Sequence, residues 1–202
     1  MSSAAKGSAF ETGVFQVLAR ELHSGRLGLL SSKAQVYQKK AYYSRDRQAF
    51  ITTDVSIEIS LEPGSTPLLI WIFECKDYGG PIPVDDLEEF HAKLQQIGDH
   101  NTKGTIVTRT ALQRGALAFA MSKGIGVIRL LPDANIKHVL YLMQRYATRE
   151  SEDDGVDWSE FETALLDDNH QSQRDFFASD DGYWMANWFS VLSHVMESLA
   201  RQ

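Results

Sequence analysis

Apolar positions along the chain follow two rhythms. Phe10, Val14, Val17, Leu18 and Leu22 recur at three- and four-residue steps, which predicts a helix over Gly7–His23 with one buried stripe. Ser8 and Glu11 read as a capping box at its start, and Ser24-Gly25 stops it. The period then shortens to two. Lys33–Ser44 and Gln48–Leu61 predict two strands around a polar turn, Arg45-Asp46-Arg47. In the second, Val55, Ile57 and Ile59 alternate with Asp54, Ser56 and Glu58, so one face is expected to be polar. A turn cluster, Glu62 to Pro67, leads into Leu68–Phe73. That apolar run is too short to span a membrane and predicts a strand buried on both faces. It ends in Glu74-Cys75-Lys76.

Gly79-Gly80-Pro81-Ile82-Pro83 breaks the chain. Asp85 then reads as an N-cap with Glu88 at N3, and Leu87, Phe90, Leu94 and Ile97 form a helical stripe up to Gly98. Gly104–Thr108 is a short strand. Leu112–Ser122 is a small-residue helix closed by Lys123-Gly124. Gly126–Leu131 is a strand stopped by Pro132, and the strand-helix-strand order predicts a parallel pair. The whole is α/β, in the order α-β-β-β-α-β-α-β: a mixed central sheet flanked by helices. Beyond it, a helix over 134–149, an acidic linker at 150–157 and a closing helix over Asn187–Leu199 are expected, with Trp184 extending the last stripe. The chain thus divides into a core, 1–131, and an acidic helical C-terminal extension, 132–202.

Composition, 43% apolar and 23% charged, is that of a soluble globular protein. The single cysteine, Cys75, excludes an internal disulfide framework and fits a reducing compartment. The N-terminus has no apolar leader and no stretch reaches transmembrane length, so the expected location is cytoplasmic, away from membranes. A net charge of −7 argues against nucleic acid until it is divided. Residues 1–131 carry 15 Lys and Arg against 13 Asp and Glu; residues 132–202 carry 5 against 14. Within the core, Lys33, Lys39, Lys40, Arg45 and Arg47 cluster with only Asp46 opposing. They either face phosphates or form an ordinary solvated hairpin.

Alternation puts Glu74 and Lys76 on one side of their strand and Cys75 on the other, where it is a small buried hydrophobe rather than a nucleophile. Asp54 lies 20 residues before Glu74, and the turn at 62–67 folds the two strands together. Two carboxylates supply hard oxygens for Mg²⁺, and the Cys75 backbone carbonyl offers a third. Such an ion polarises a scissile phosphate and lowers the pKa of a bound water. Lys76 would orient or deprotonate that water and offset charge on phosphorus. The alternative is a buried Glu74–Lys76 or Asp54–Lys76 ion pair with no chemistry. Glu11 is either a capping carboxylate or an outer ligand. His91 and His100 match no zinc spacing, and His91 beside Phe90 reads as a core-edge histidine. The glycine pairs match no phosphate loop. Trp184 and Trp188 either pack between helices or stack on bases.

Asp54…Glu74-Cys75-Lys76, after a Phe10-Glu11 helix and before helix-strand-helix-strand, resembles the PD-(D/E)XK nuclease superfamily. Within it the motif is similar to that of the Mrr-type restriction endonucleases, which often reads Glu-Cys-Lys. The resemblance covers about residues 7–131. It implies a restriction endonuclease-like αβββαβ core, with Asp54 and Glu74 on Mg²⁺ and Mn²⁺ as a substitute. It further implies Lys76 as the catalytic lysine, Glu11 in support, and DNA as the substrate. Lys39, Lys40, Arg45 and Arg47 would touch the DNA backbone. Cutting both strands takes two sites, so a homodimer is expected. Thr53 stands where the superfamily commonly has Pro, and Gln95 and Gln96 are both candidates for the Gln some members carry on the next helix. The acidic extension is expected to pack on the far side, mediate the dimer or bind a protein partner. A catalytically idle module for DNA binding or assembly, and RNA cleavage by the same site, remain open alternatives.

Overall fold

A computed structural model describes residues 3–24, 32–62, 64–98, 101–130, 158–170, 176–180, 183–185, 190–191 and 194. The buried run of the sequence becomes β5, Leu69–Lys76, at the heart of a seven-stranded sheet. Trp71, Ile72 and Phe73 are fully buried, as a strand covered on both faces requires. On one side β5 pairs antiparallel with β4, Val55–Ile59, which pairs antiparallel with β1, Ala34–Gln38. On the other it pairs in parallel with β6, Thr102–Thr108, and β6 in parallel with β7, Gly126–Leu130.

Helices cover both faces. α1, Ser3–His23, lays Phe10, Val14, Val17, Leu18 and Leu22 against Val55, Ile57, Trp71, Phe73 and Val107. α2, Val84–Ile97, and α3, Arg114–Ser122, cover the other face, with Leu87, Phe90, Leu94 and Leu117 against Ile70, Ile72 and Ile106. Gly104 lets α2 come close to the sheet: a Cβ there would press into Leu94 and lie 2.9 Å from Phe90. Gly124, at φ +60°, closes α3 as the left-handed residue the sequence predicts.

Several boundaries differ from expectation. α1 begins at Ser3, so Ser8 lies inside the helix, where its carbonyl accepts a bond from Thr12 Oγ1, and no capping box forms with Glu11. α2 begins at Val84 after Pro83, not at an Asp85 cap. Asp85 and Asp86 instead lie in its first turn, where carboxylates favour the helix dipole. Each long strand predicted over 33–61 is broken in two. Lys39 adopts φ +54° and the chain kinks, so β2, Ala41–Ser44, and β3, Ala49–Thr52, form a separate two-stranded hairpin around the Arg45–Gln48 turn. The hairpin covers the face of β4 expected to be polar and open. Ser56 is fully buried there and accepts a 2.8 Å bond from the Tyr42 hydroxyl.

The helix expected over 134–149 and the linker at 150–157 lie outside the described residues. The tail is not solely helical. α4, Trp158–Leu166, packs Ala164 and Leu165 on the α2–α3 face. β8, Phe176–Asp180, pairs antiparallel with β7, and β9, Tyr183–Met185, with β8. Trp184 therefore lies in a strand, not on an extension of the closing helix; of that helix, Ser190, Val191 and His194 are described and helical. Among the described residues, no helix is long and apolar enough to cross a membrane.

Candidate functional site

The candidate residues gather at the C-terminal end of β5. Glu74 and Lys76 share a face, with Lys76 Nζ 3.6 Å from Glu74 Oε1. Cys75 turns to the opposite face and packs against the α1-side core. Burial first, then the charge of Asp54, holds its thiol well above its ordinary value. Val55 opposes Phe73 in the β4–β5 register, so Asp54 follows one step beyond, level with Glu74. Its Oδ2 accepts the Cys75 backbone N–H at 2.9 Å, which ties Asp54 to the middle of the Glu-Cys-Lys motif.

Thr53 explains its own departure from the common Pro. Its N–H donates 2.9 Å to the Lys40 carbonyl, and Lys39 N–H donates 2.9 Å to the Asp54 carbonyl. These two bonds set the base of the β2–β3 hairpin, and a Pro at 53 would delete the first.

Each carboxylate carries an ammonium ion. Lys39 Nζ bridges Glu11 Oε2 at 2.6 Å and Asp54 Oδ1 at 2.8 Å. Burial pulls Lys39 down, but the hydrogen bonds and charges of Asp54 and Glu11 together outweigh it and raise it to about 12. Glu11 is thus drawn to Asp54 through a shared lysine and does not act as a helix cap. Lys93, on α2, grips Glu74 with Nζ 2.8 Å and 2.9 Å from its two oxygens. Lys76 also reaches Asp86 Oδ1 at 3.2 Å, and the Tyr78 hydroxyl meets the same oxygen at 3.2 Å. Burial lowers Lys76, while the charge of Glu74 and the bond to Asp86 more than reverse the effect, so its pKa is raised.

Sequence reasoning missed Lys93 and Asp86. Their signal was present: Asp86, Phe90 and Lys93 lie at helical spacing on the face that meets β5. It also missed Arg109, just past β6, whose guanidinium lies 4.0 Å from Asp77 and 4.8 Å from the Phe10 ring centre. Gln96 accepts a 2.5 Å bond from Arg47 Nε, and Gln95 lines a shallow hollow with His91, Lys103 and Lys123.

The basic cluster is dispersed. Lys39 belongs to the carboxylate site, Lys40 pairs with Glu58 at 2.5 Å over the Tyr37 ring, and Lys33 bonds the Leu61 carbonyl. Arg45 and Arg47 stand exposed at the hairpin turn.

Among the described residues, no three His, Cys, Asp or Glu side chains gather as a metal cage. A hard dication needs only one or two carboxylates, with waters and phosphate completing its shell. Asp54 and Glu74 meet that requirement: both are hard oxygen donors, about four-fifths or more buried, and each already attracts a cation.

No curated protein matches the chain. Among solved structures, a protein of unknown function designated AF1548 is similar over 64% of this chain and 78% of its own, with 16% identity and a TM-score of 0.38. The family model described as a restriction endonuclease, that of the Mrr catalytic domain, matches residues 33–140. These residues are more than half of the chain and contain β1 to β7 with the whole Asp54, Glu74 and Lys76 set, so the chain belongs to the Mrr-type restriction endonucleases and carries their nuclease domain.

Proposed function

We propose that the protein is a metal-dependent endodeoxyribonuclease acting in the cytoplasm. The observation that carries this is the convergence of Asp54, Glu74 and Lys76 at one strand end, with ammonium ions already resting on both carboxylates. Asp54, Glu74 and the Cys75 carbonyl would hold Mg²⁺, with Mn²⁺ able to take its place. When bound, the ion polarises the scissile phosphate and acidifies a water. Lys76 orients the attacking water and offsets the charge that builds on phosphorus. Asp86 and Tyr78 hold Lys76 in place, and Glu11 steadies Asp54 through Lys39. Arg45, Arg47 and Lys40 contact the DNA backbone. Two copies cut the two strands.

The test is cleavage of plasmid, linear, branched and single-stranded DNA. Cleavage is expected with Mg²⁺ or Mn²⁺ and lost in EDTA. Lys76→Ala and Glu74→Gln should each slow it by about 100-fold or more. Failure to cut any of these DNAs sinks the reading. Equal cutting by both variants sinks the assigned site.

A further inference from the structure

The β2–β3 hairpin has an inner and an outer face. Tyr42, Ser44 and Ile51 point inward and are buried, and the Tyr42–Ser56 and Arg47–Gln96 bonds hold the hairpin to β4 and α2. Tyr43 and Phe50 point outward, 52% and 69% exposed. They oppose each other across the strands, ring centres 5.5 Å apart and planes at 70°. A single exposed aromatic needs no explanation; two paired on the outer face of the hairpin form a prepared apolar surface.

What surrounds them selects the occupant. Arg45, Asp46, Arg47 and Gln48 at the turn are all exposed, two cations against one anion. Exposed aromatics beside arginines are the makeup of a platform for nucleic-acid bases, where rings stack and guanidinium groups meet phosphates. Position agrees. Phe50 precedes Asp54 by four residues, so it lies at most about 14 Å along the chain from the carboxylate site. That reach is about four base steps of one DNA strand.

We propose that Tyr43 and Phe50 stack on an unstacked DNA base near the scissile phosphate, so that the protein prefers single-stranded or forked DNA to continuous duplex. This rests on the DNA-nuclease reading above.

The test measures the full-length protein with Ca²⁺ in place of Mg²⁺, by anisotropy on fluorescein-labelled single-stranded, forked and blunt duplex oligonucleotides. The wild type should bind the first two more tightly. Y43A/F50A should weaken their binding by about tenfold or more, with a smaller effect on duplex. Y43F/F50Y keeps two rings and should bind as the wild type does. Ultraviolet crosslinking to a 5-iodouracil oligonucleotide should mark the peptide holding Tyr43 or Phe50. Unchanged binding of every DNA by Y43A/F50A overturns the platform and leaves the nuclease reading standing. No binding of any DNA by the wild type overturns both. If Y43A/F50A converts a dimer to monomer in sedimentation with DNA affinity unchanged, the surface is a protein interface and the platform is refuted.

Discussion

Arg129 offers the sharpest energetic test of how the described tail is attached. It lies on β7 with its side chain only 1% exposed, the largest buried charged group among the described residues. Its guanidinium donates to the Ala164 and Asp167 carbonyls, at and just past the end of α4, the latter at 2.7 Å. Asp168 Oδ1 sits 3.8 Å away and also accepts the Ala111 N–H at 2.6 Å. The last carbonyls of a helix have no partner within it, and a cation there also meets the negative end of the helix dipole. Burial lowers the Arg129 pKa, and the charges of Asp168 and Asp167 oppose that shift. Arg129→Met keeps most of the stem and removes every donor. The bonds to Ala164 and Asp167, at roughly 1.5–3 kcal/mol each from a charged donor, set a gross loss of about 3–6 kcal/mol, and a longer third bond from Nε to the Arg109 carbonyl, 3.4 Å, adds little; relief from burying the cation brings the net to about 3–5 kcal/mol. For a chain of this size that is a fall in Tm of roughly 6–20 °C. Asp168→Asn should cost less, about 1 kcal/mol, because Asp168 is 34% exposed and its amide oxygen can still accept from Ala111. Urea and thermal melts followed by circular dichroism read both. Limited proteolysis should also show earlier cutting near residues 158–170 in Arg129→Met. If Arg129→Met melts within about 1 kcal/mol of the wild type, the guanidinium does not hold the tail.

Two further outcomes follow from packing. Gly104→Ala should lose about 1–3 kcal/mol in a denaturant melt, because the new methyl meets Leu94 and Phe90 in the contact between α2 and β6; an unchanged midpoint would mean that α2 shifts freely. Cys75 should react with a thiol reagent at least about tenfold more slowly in the native protein than in denaturant, since burial and the neighbouring Asp54 hold its thiol up. Equal rates would place the thiol on an open surface.

The core of the fold was legible because its signals are local. The α1 stripe, the doubly buried β5 and the Gly124 stop all come from periodicity or backbone conformation within a few residues. The kink at Lys39 was not. Lysine rarely adopts positive φ, and what holds it there is distant in sequence: the backbone bond to Asp54 and the ion pairs to Asp54 and Glu11. The placement of Lys39 followed the same course. As one of five basic residues it read as a phosphate contact, and only the fold shows it between two carboxylates. Alternation separated Glu74 and Lys76 from Cys75 correctly, but it has no means of finding Lys93, which comes from the helix laid across the strand. The tail strands were hidden for a further reason. Trp184 fits a helical register with Trp188, yet β8 finds a free sheet edge at β7 and β9 pairs onto β8, and that pairing overrides the helical pattern.

The lysines define what a metal would change. Glu74, with 10% of its side chain exposed, would be costly to bury alone, and Lys93 and Lys76 compensate it from α2 and β5. The same contacts pin α2 to β5 at both Asp86 and Lys93, so charge neutralisation and site geometry share one set of bonds. Glu11, Asp54, Glu74 and Asp86 face Lys39, Lys76 and Lys93: four negative charges against three positive, a net of −1. That sign repels a phosphodiester. One bound dication makes it +1, which attracts one, and ammonium ions displaced from the carboxylates would still stand beside the phosphate. Under the proposed function, metal would then be needed for DNA to settle at the site as well as for the bond to break. A single pair of assays separates the two: if DNA binds as tightly in EDTA as with Ca²⁺, the net charge of the site does not govern DNA binding, even where cleavage still needs the ion.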